Sequence, residues 1–102
     1  MILVHIITND KLQALEIVHL LTLEKLISNA IVSKKMMYEY KDELIKKKQF
    51  LIIGQTKGLL FKLINEKLST NYLQSMPILY AVPIIYMDEN QTHYIRQHTA
   101  KV

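Results

Sequence analysis

Cysteine is absent from this chain of 102 residues, and glycine and proline occur only twice each. Without cysteine there is no disulfide framework and no thiolate to serve a zinc site, a redox pair or a nucleophile. The same absence accords with a reducing compartment, and the expected location is the cytoplasm. With so few glycines and prolines, most of the chain is expected to be regular structure joined by short connections. Arginine is nearly missing too: the formal charge of +4 rests on twelve lysines and Arg96 alone, whereas nucleic-acid recognition leans on the guanidinium fork. Long apolar runs are also lacking. The leading stretch Met1–Thr8 gives way to Asn9-Asp10-Lys11, far short of the roughly 20 residues of a membrane span, and no basic segment precedes it as in a signal peptide.

What is present is aliphatic. Fourteen isoleucines and fifteen leucines, within a chain that is half apolar and 22% charged, supply enough apolar surface for one core and fail the compositional test for disorder. Residues 1–102 are read as a single domain. Ile2–Thr8, apolar at nearly every position, predicts a central strand covered on both faces. Asn9 or Asp10 offers a cap for a helix over Lys11–Ser28, with Ala14, Ile17, Val18 and Leu21 as its core face. Ala30–Thr56 reads as a long hairpin turning at Lys41-Asp42-Glu43, its second arm charged at Lys46-Lys47-Lys48 and apolar at Phe50–Ile53. Gly58–Ser69 follows as a second helix with Leu60, Leu63, Ile64 and either Leu68 or Lys67 covered. Ile78–Met87 is a fourth strand, placed at an edge by Pro83, and Gln91–His98 a short terminal helix. The order βαββαβ with a helical tail is α+β, the ferredoxin-like split βαβ arrangement.

These residues resemble the CutA divalent-cation-tolerance proteins. The landmarks are Ile6-Ile7-Thr8-Asn9, Leu21-Thr22-Leu23-Glu24-Lys25-Leu26, Tyr38-Glu39-Tyr40, and Phe50 to Thr56. The most specific piece is Met76-Pro77-Ile78-Leu79-Tyr80-Ala81-Val82-Pro83-Ile84, similar to the family's Val-Pro-Glu-Ile-Ile-Ala-Leu-Pro-Val, with both prolines and the alanine at the same spacing. The resemblance implies a ferredoxin-like fold related in shape to the PII signalling proteins. It also implies a homotrimer in which long hairpins extend neighbouring sheets, with Tyr38, Tyr40 and Pro77 at the subunit contacts. The associated ligand is a divalent cation, copper or zinc. The chain departs from the family where such a cation would be held: Asn29 replaces a cysteine, Asn71 and Tyr72 replace a histidine pair, and Ile78 replaces a glutamate. Asn, Tyr and Ile are no substitute for soft thiolate or imidazole ligands.

No constellation for catalysis emerges. His5, His19, His93 and His98 form no i, i+4 pair, and Met36 and Met37 are adjacent on a strand and so face opposite ways. Asp42-Glu43 and Asp88-Glu89 fall in turns, Glu16 and Glu24 on a helix, and Gly54 and Gly58 match no phosphate loop. A non-enzymatic binding or signalling module is therefore expected, with a PII-like regulator of a small metabolite or partner protein as the alternative. Lys34-Lys35 and Lys46-Lys47-Lys48 near Tyr38 and Tyr40 read as a solvated hairpin rather than a nucleic-acid surface. One feature exceeds what composition requires: Leu12, Leu15, Leu20 and Leu23 give the first helix a second apolar row, with His19 in its midst. Either the tail around Tyr94-Ile95 or a neighbouring loop lies over part of it, or it is a partner surface for another protein or a second trimer.

Overall fold

The computed structural model describes all 102 residues. Strand β1 (Ile2–Thr8) leads through Asp10 into helix α1 (Lys11–Leu23), followed by β2 (Asn29–Lys41) and β3 (Glu43–Thr56). A 3-10 turn at Gly58–Leu60 opens α2 (Phe61–Asn71), then come β4 (Ile78–Pro83) and α3 (Glu89–His98). The four strands form one antiparallel sheet in the order β2-β3-β1-β4, with β1 paired to both β3 and β4. This is the ferredoxin-like α+β architecture expected from the order of elements, with β1 central and β4, which carries Pro83, at an edge.

The β2–β3 hairpin is long because every residue from Asn29 to Lys41 finds a partner from Gln55 back to Glu43. Asp42 alone sits at the tip, in the left-handed region with φ 62°, which a short polar side chain tolerates. The hairpin stretches the molecule to 47 Å against 29 and 19 Å in the other directions. Alternation fixes its two faces. Phe50, Ile52 and Gly54 point to the helices together with Val4 and Ile6, while Leu51 and Ile53 share the opposite face with Leu3, His5 and Ile7. The core is the layer between sheet and helices, where Val4, Ile6, Ile52, Ala14, Ile17, Leu21, Leu60, Ile64 and Leu68 are buried.

Several expectations need correction. The sheet is covered on one face only: residues of β1 alternate between buried and half-buried, so its apolar opposite face is left open by the single chain. Helix α1 stops at Leu23, not Ser28. Lys25 enters the left-handed region at φ 57°, Leu26 N–H reaches back to Leu21 O at 2.9 Å and Lys25 N–H to Thr22 O at 3.1 Å. That bond pair is a Schellman stop, with Leu26 and Leu21 both in the core behind it. On the core face of α1, Gln13 is buried and Val18 only partly so. On α2, Leu63 is exposed while Leu60, Ile64 and Leu68 are fully covered. Strand β4 ends at Pro83 because β1 runs out: Ile2 is its last partner, and Ile84 N–H closes the ladder on Met1 O at 3.0 Å. Ile85 and Tyr86 beyond it are exposed. The tail does not cover the leucine row. Helix α3 packs against β3, and Ala100 N–H bonds to Lys25 O at 2.7 Å while Lys57 Nζ holds Ala100 O at 2.9 Å.

Candidate functional site

A polar cleft opens where β1 ends, at the foot of α1. Ile7 and Thr8 from β1, Asn9 and Asp10 from the turn, and Gln13 and Glu16 from α1 form one wall. Gln49 of β3, Tyr72, Ser75, Met76 and Pro77 after α2, and Ile78 at the start of β4 complete a pocket of about 420 Å³. Its walls are pinned by side chains whose partners lie inside it. The Thr8 hydroxyl donates to Gln13 Oε1, and Gln13 Nε2 donates to Ser75 O at 2.8 Å, tying the α2–β4 connection to α1. Asp10 caps α1 by accepting from Leu12 N–H at 3.0 Å, and Gln49 Nε2 donates to Asn9 Oδ1 at 3.1 Å. The Tyr72 hydroxyl donates to Glu16 Oε1 at 3.2 Å. Partial burial, then this bond to Glu16, holds the Tyr72 phenol above its ordinary pKa, so it stays a donor at neutral pH.

The chemistry offered is that of oxygen. Carboxylates Asp10 and Glu16 stand with amide and hydroxyl oxygens and one thioether, Met76, without imidazole or thiol, and nowhere in the fold do three His, Cys, Asp or Glu converge on a metal position. Copper and zinc prefer nitrogen and sulfur, so this donor set does not fit them; a hard cation that keeps its water, or a hydrogen-bonding organic molecule, suits it better. No nucleophile in the cleft has a histidine beside it.

The residues singled out from the sequence are scattered. Pro77 is buried within the chain and lines the cleft. Tyr38 and Tyr40 lie far out on the hairpin, on the helix-side face and exposed, with Lys46 Nζ 6.0 Å from the Tyr38 ring centre. Asn29 is exposed near Gln55, and Asn71 binds its own helix at Lys67 O, so of the family-variant positions only Tyr72 and Ile78 reach the cleft. His5 meets Tyr80 across the open face at 3.3 Å, and His98 bonds to Tyr94 O at 2.8 Å. Leu12, Leu15 and Leu23 are exposed and Leu20 half-buried. Sequence reasoning missed Gln13, whose polar side chain masks its place in one row with Ile17 and Leu21 at i+4 spacing, the signal by which it could have been found.

A four-stranded antiparallel sheet with two crossover helices on one face, an overlong hairpin and a polar cleft at the sheet end defines a ferredoxin-like α+β protein. The model of the CutA1 family, described as CutA1 divalent ion tolerance protein, matches residues 2–98, and the chain belongs to that family. Among solved structures, CutA1 from Pyrococcus horikoshii is similar with a TM-score of 0.87 at 19% identity, covering 99% of this chain and 100% of that one. The divalent ion tolerance protein CutA1 from Ehrlichia chaffeensis has a TM-score of 0.85 at 20% identity over 98% and 95% of the two chains. A periplasmic divalent cation tolerance protein CutA from Archaeoglobus fulgidus has 0.83 at 16% over 96% and 98%. No curated protein sequence matches the chain. No helix is long and apolar enough to cross a membrane.

Proposed function

We propose that this protein is a homotrimeric, non-enzymatic binding or signalling module of the cytoplasm that serves divalent-cation tolerance through the cleft between β1, α1 and the α2–β4 connection. Family membership supports the link to divalent cations. The observation that carries the mode of action is the oxygen-dominated lining around Asp10 and Glu16, in which Met76 is the single sulfur, and which suits a hydrated or ligand-borne cation rather than copper or zinc held directly. Assembly is supported by the open sheet face and by two unpaired strand edges, on β2 and β4, which a neighbour's strands would satisfy. In that trimer Tyr38 and Tyr40 contact the neighbouring subunit, and Pro77 shapes the cleft beside the junction.

A second reading is supported by size. A pocket of about 420 Å³ is far larger than an ion needs and falls in the range of small-molecule sites, which favours a PII-like regulator binding a metabolite or a partner protein where subunits meet. Calorimetric titration of the purified protein with copper, zinc, magnesium and a nucleotide panel, alongside the Glu16→Gln variant, separates the two. Heat from magnesium that is lost in the variant supports the first reading, and heat from a nucleotide supports the second. Tight copper or zinc binding that survives Glu16→Gln overturns the assignment of the cleft.

A further inference from the structure

We propose that the outer face of α1 is a self-recognition surface on which α1 of a second copy packs antiparallel, about a two-fold axis passing between Ile17 and Val18. Helix α1 is apolar on both sides. Ala14, Ile17 and Leu21 fill the core, yet Leu12, Leu15 and Leu23 on the far side are 65%, 50% and 72% exposed. At 100° per residue, Leu12, Leu15, His19 and Leu23 fall within an arc of about 80°, one continuous seam over three turns. No part of the chain lies over it, since α3 packs against β3 instead.

The occupant is read from the order of residues along that seam. Reversed about its midpoint, the face complements itself: Leu12 stands level with Leu23 of the second copy, and Glu16, at the edge of the seam, with His19. A parallel pairing would set Glu16 against Glu16, so repulsion between the two carboxylates disfavours it, whereas the antiparallel one gives each Glu16 an imidazole N–H to accept from. Glu16 gives Oε1 to the Tyr72 hydroxyl, which leaves Oε2 to accept from the second copy's imidazole. Such a contact is isologous, each patch meeting its own copy. One helix face of roughly 20 by 10 Å is well below the roughly 800 Å² per partner of a stable interface, so a single contact is weak and strengthens when several copies of α1 are presented together. Glu16 also lines the cleft, so the contact and a ligand bound there would share one carboxylate, and the variants that test the contact lie at Leu12, His19 and Leu23 rather than at Glu16.

A chain without cysteine gives a clean background for the test. Leu12→Cys and Leu23→Cys variants are oxidised singly and as a mixture, with Asn65→Cys on exposed α2 as the collision control, and dimers are read on non-reducing gels. The mixture should cross-link at least tenfold more than either variant alone, because identical positions stand about 16 Å apart along the paired helices, beyond disulfide reach. Adding His19→Glu to both variants, which sets two carboxylates level, should return the yield to that of the control. Equal cross-linking in mixture and single variants, no yield above Asn65→Cys, or indifference to His19→Glu would each overturn the proposal, the second pointing to a different protein as occupant.

Discussion

At Gly54 the sheet and the corner after α1 approach so closely that an added Cβ would lie 2.9 Å from Ile27 Cγ2 and 3.1 Å from its Cδ1. Ile27 is 2% exposed and β-branched, so its χ1 has little room to swing Cγ2 clear. Gly54→Ala is therefore expected to cost about 1–3 kcal/mol as an overpacking change, read from the urea midpoint, and to couple with Ile27→Ala, since the two contacts are one. An unchanged midpoint would mean that the corner gives way. Tyr72 supplies a pH signature. Its folded phenol sits above the ordinary value of 10.0, first through burial and then through Glu16. The folded state thus holds that proton more tightly than the unfolded chain, a contribution fully present below the unfolded pKa and lost as pH rises through the folded one. Phenolate absorbance should show one tyrosine titrating later than the rest, absent in Tyr72→Phe and displaced toward the others in Glu16→Gln.

Among elements, the end of α1 holds the clearest stored cost. Lys25 occupies the left-handed position of the Schellman stop at φ 57° where glycine is the usual residue. Lys25→Gly should raise stability by about 1 kcal/mol by relieving the Cβ clash, seen as a higher melting temperature; a lower one would mean that unfolded-state entropy outweighs the relief. The hairpin carries a cost of another kind. Lys48, diagonal to Lys34 on the same face, lowers the Lys34 pKa chiefly by charge repulsion. Below the lowered pKa the repulsion is fully present; between it and 10.5 the unfolded chain binds more protons, so this site gains stability as pH rises. Lys48→Glu should raise the melting temperature at neutral pH and low salt, and the gain should fade as salt screens the pair. These two places also mark what the sequence could tell. The apolar content of Phe50 to Ile53 and the i, i+4 row Ile17-Leu21 are patterns of side chains, so the strands and the core face of α1 were readable, whereas Ile2–Thr8, apolar at nearly every position, did not show that one face of the sheet stays open. The stop at Lys25 carries no glycine, and the apolar run Ile84–Tyr86 continues past the point where β1 ends, so both boundaries depend on contacts distant in the chain. The cleft was legible only in pieces, because the Thr8–Gln13–Ser75 chain of hydrogen bonds joins residues 62 positions apart.

The whole molecule is a sheet with helices on one side and open on the other. Leu3, Ile7, Leu51 and Ile53 are only half-buried there, and Ile31, Ile78, Tyr80 and Val82 extend the apolar surface to both edges. Such a surface is large for a solitary chain of this size, and strands apolar on both faces are typical of sheets covered on both. Three copies closing sheet to sheet would bury it while the hairpins reach across to neighbouring edges. Folding is then coupled to assembly, and mass action makes stability depend on concentration. The melting temperature should rise with protein concentration, and sedimentation should give three times the 12.0 kDa chain. Leu51→Asp places a carboxylate at the middle of the open face, on the central strand β3 opposite Ile7. Its charge has no partner there, so burial by a neighbour becomes unfavourable by several kcal/mol while a free chain can keep it hydrated. The variant should sediment as a single chain whose melting temperature no longer responds to concentration. A wild-type chain that sediments alone at micromolar concentration, or a Leu51→Asp variant that still assembles, would place the contact elsewhere on the molecule.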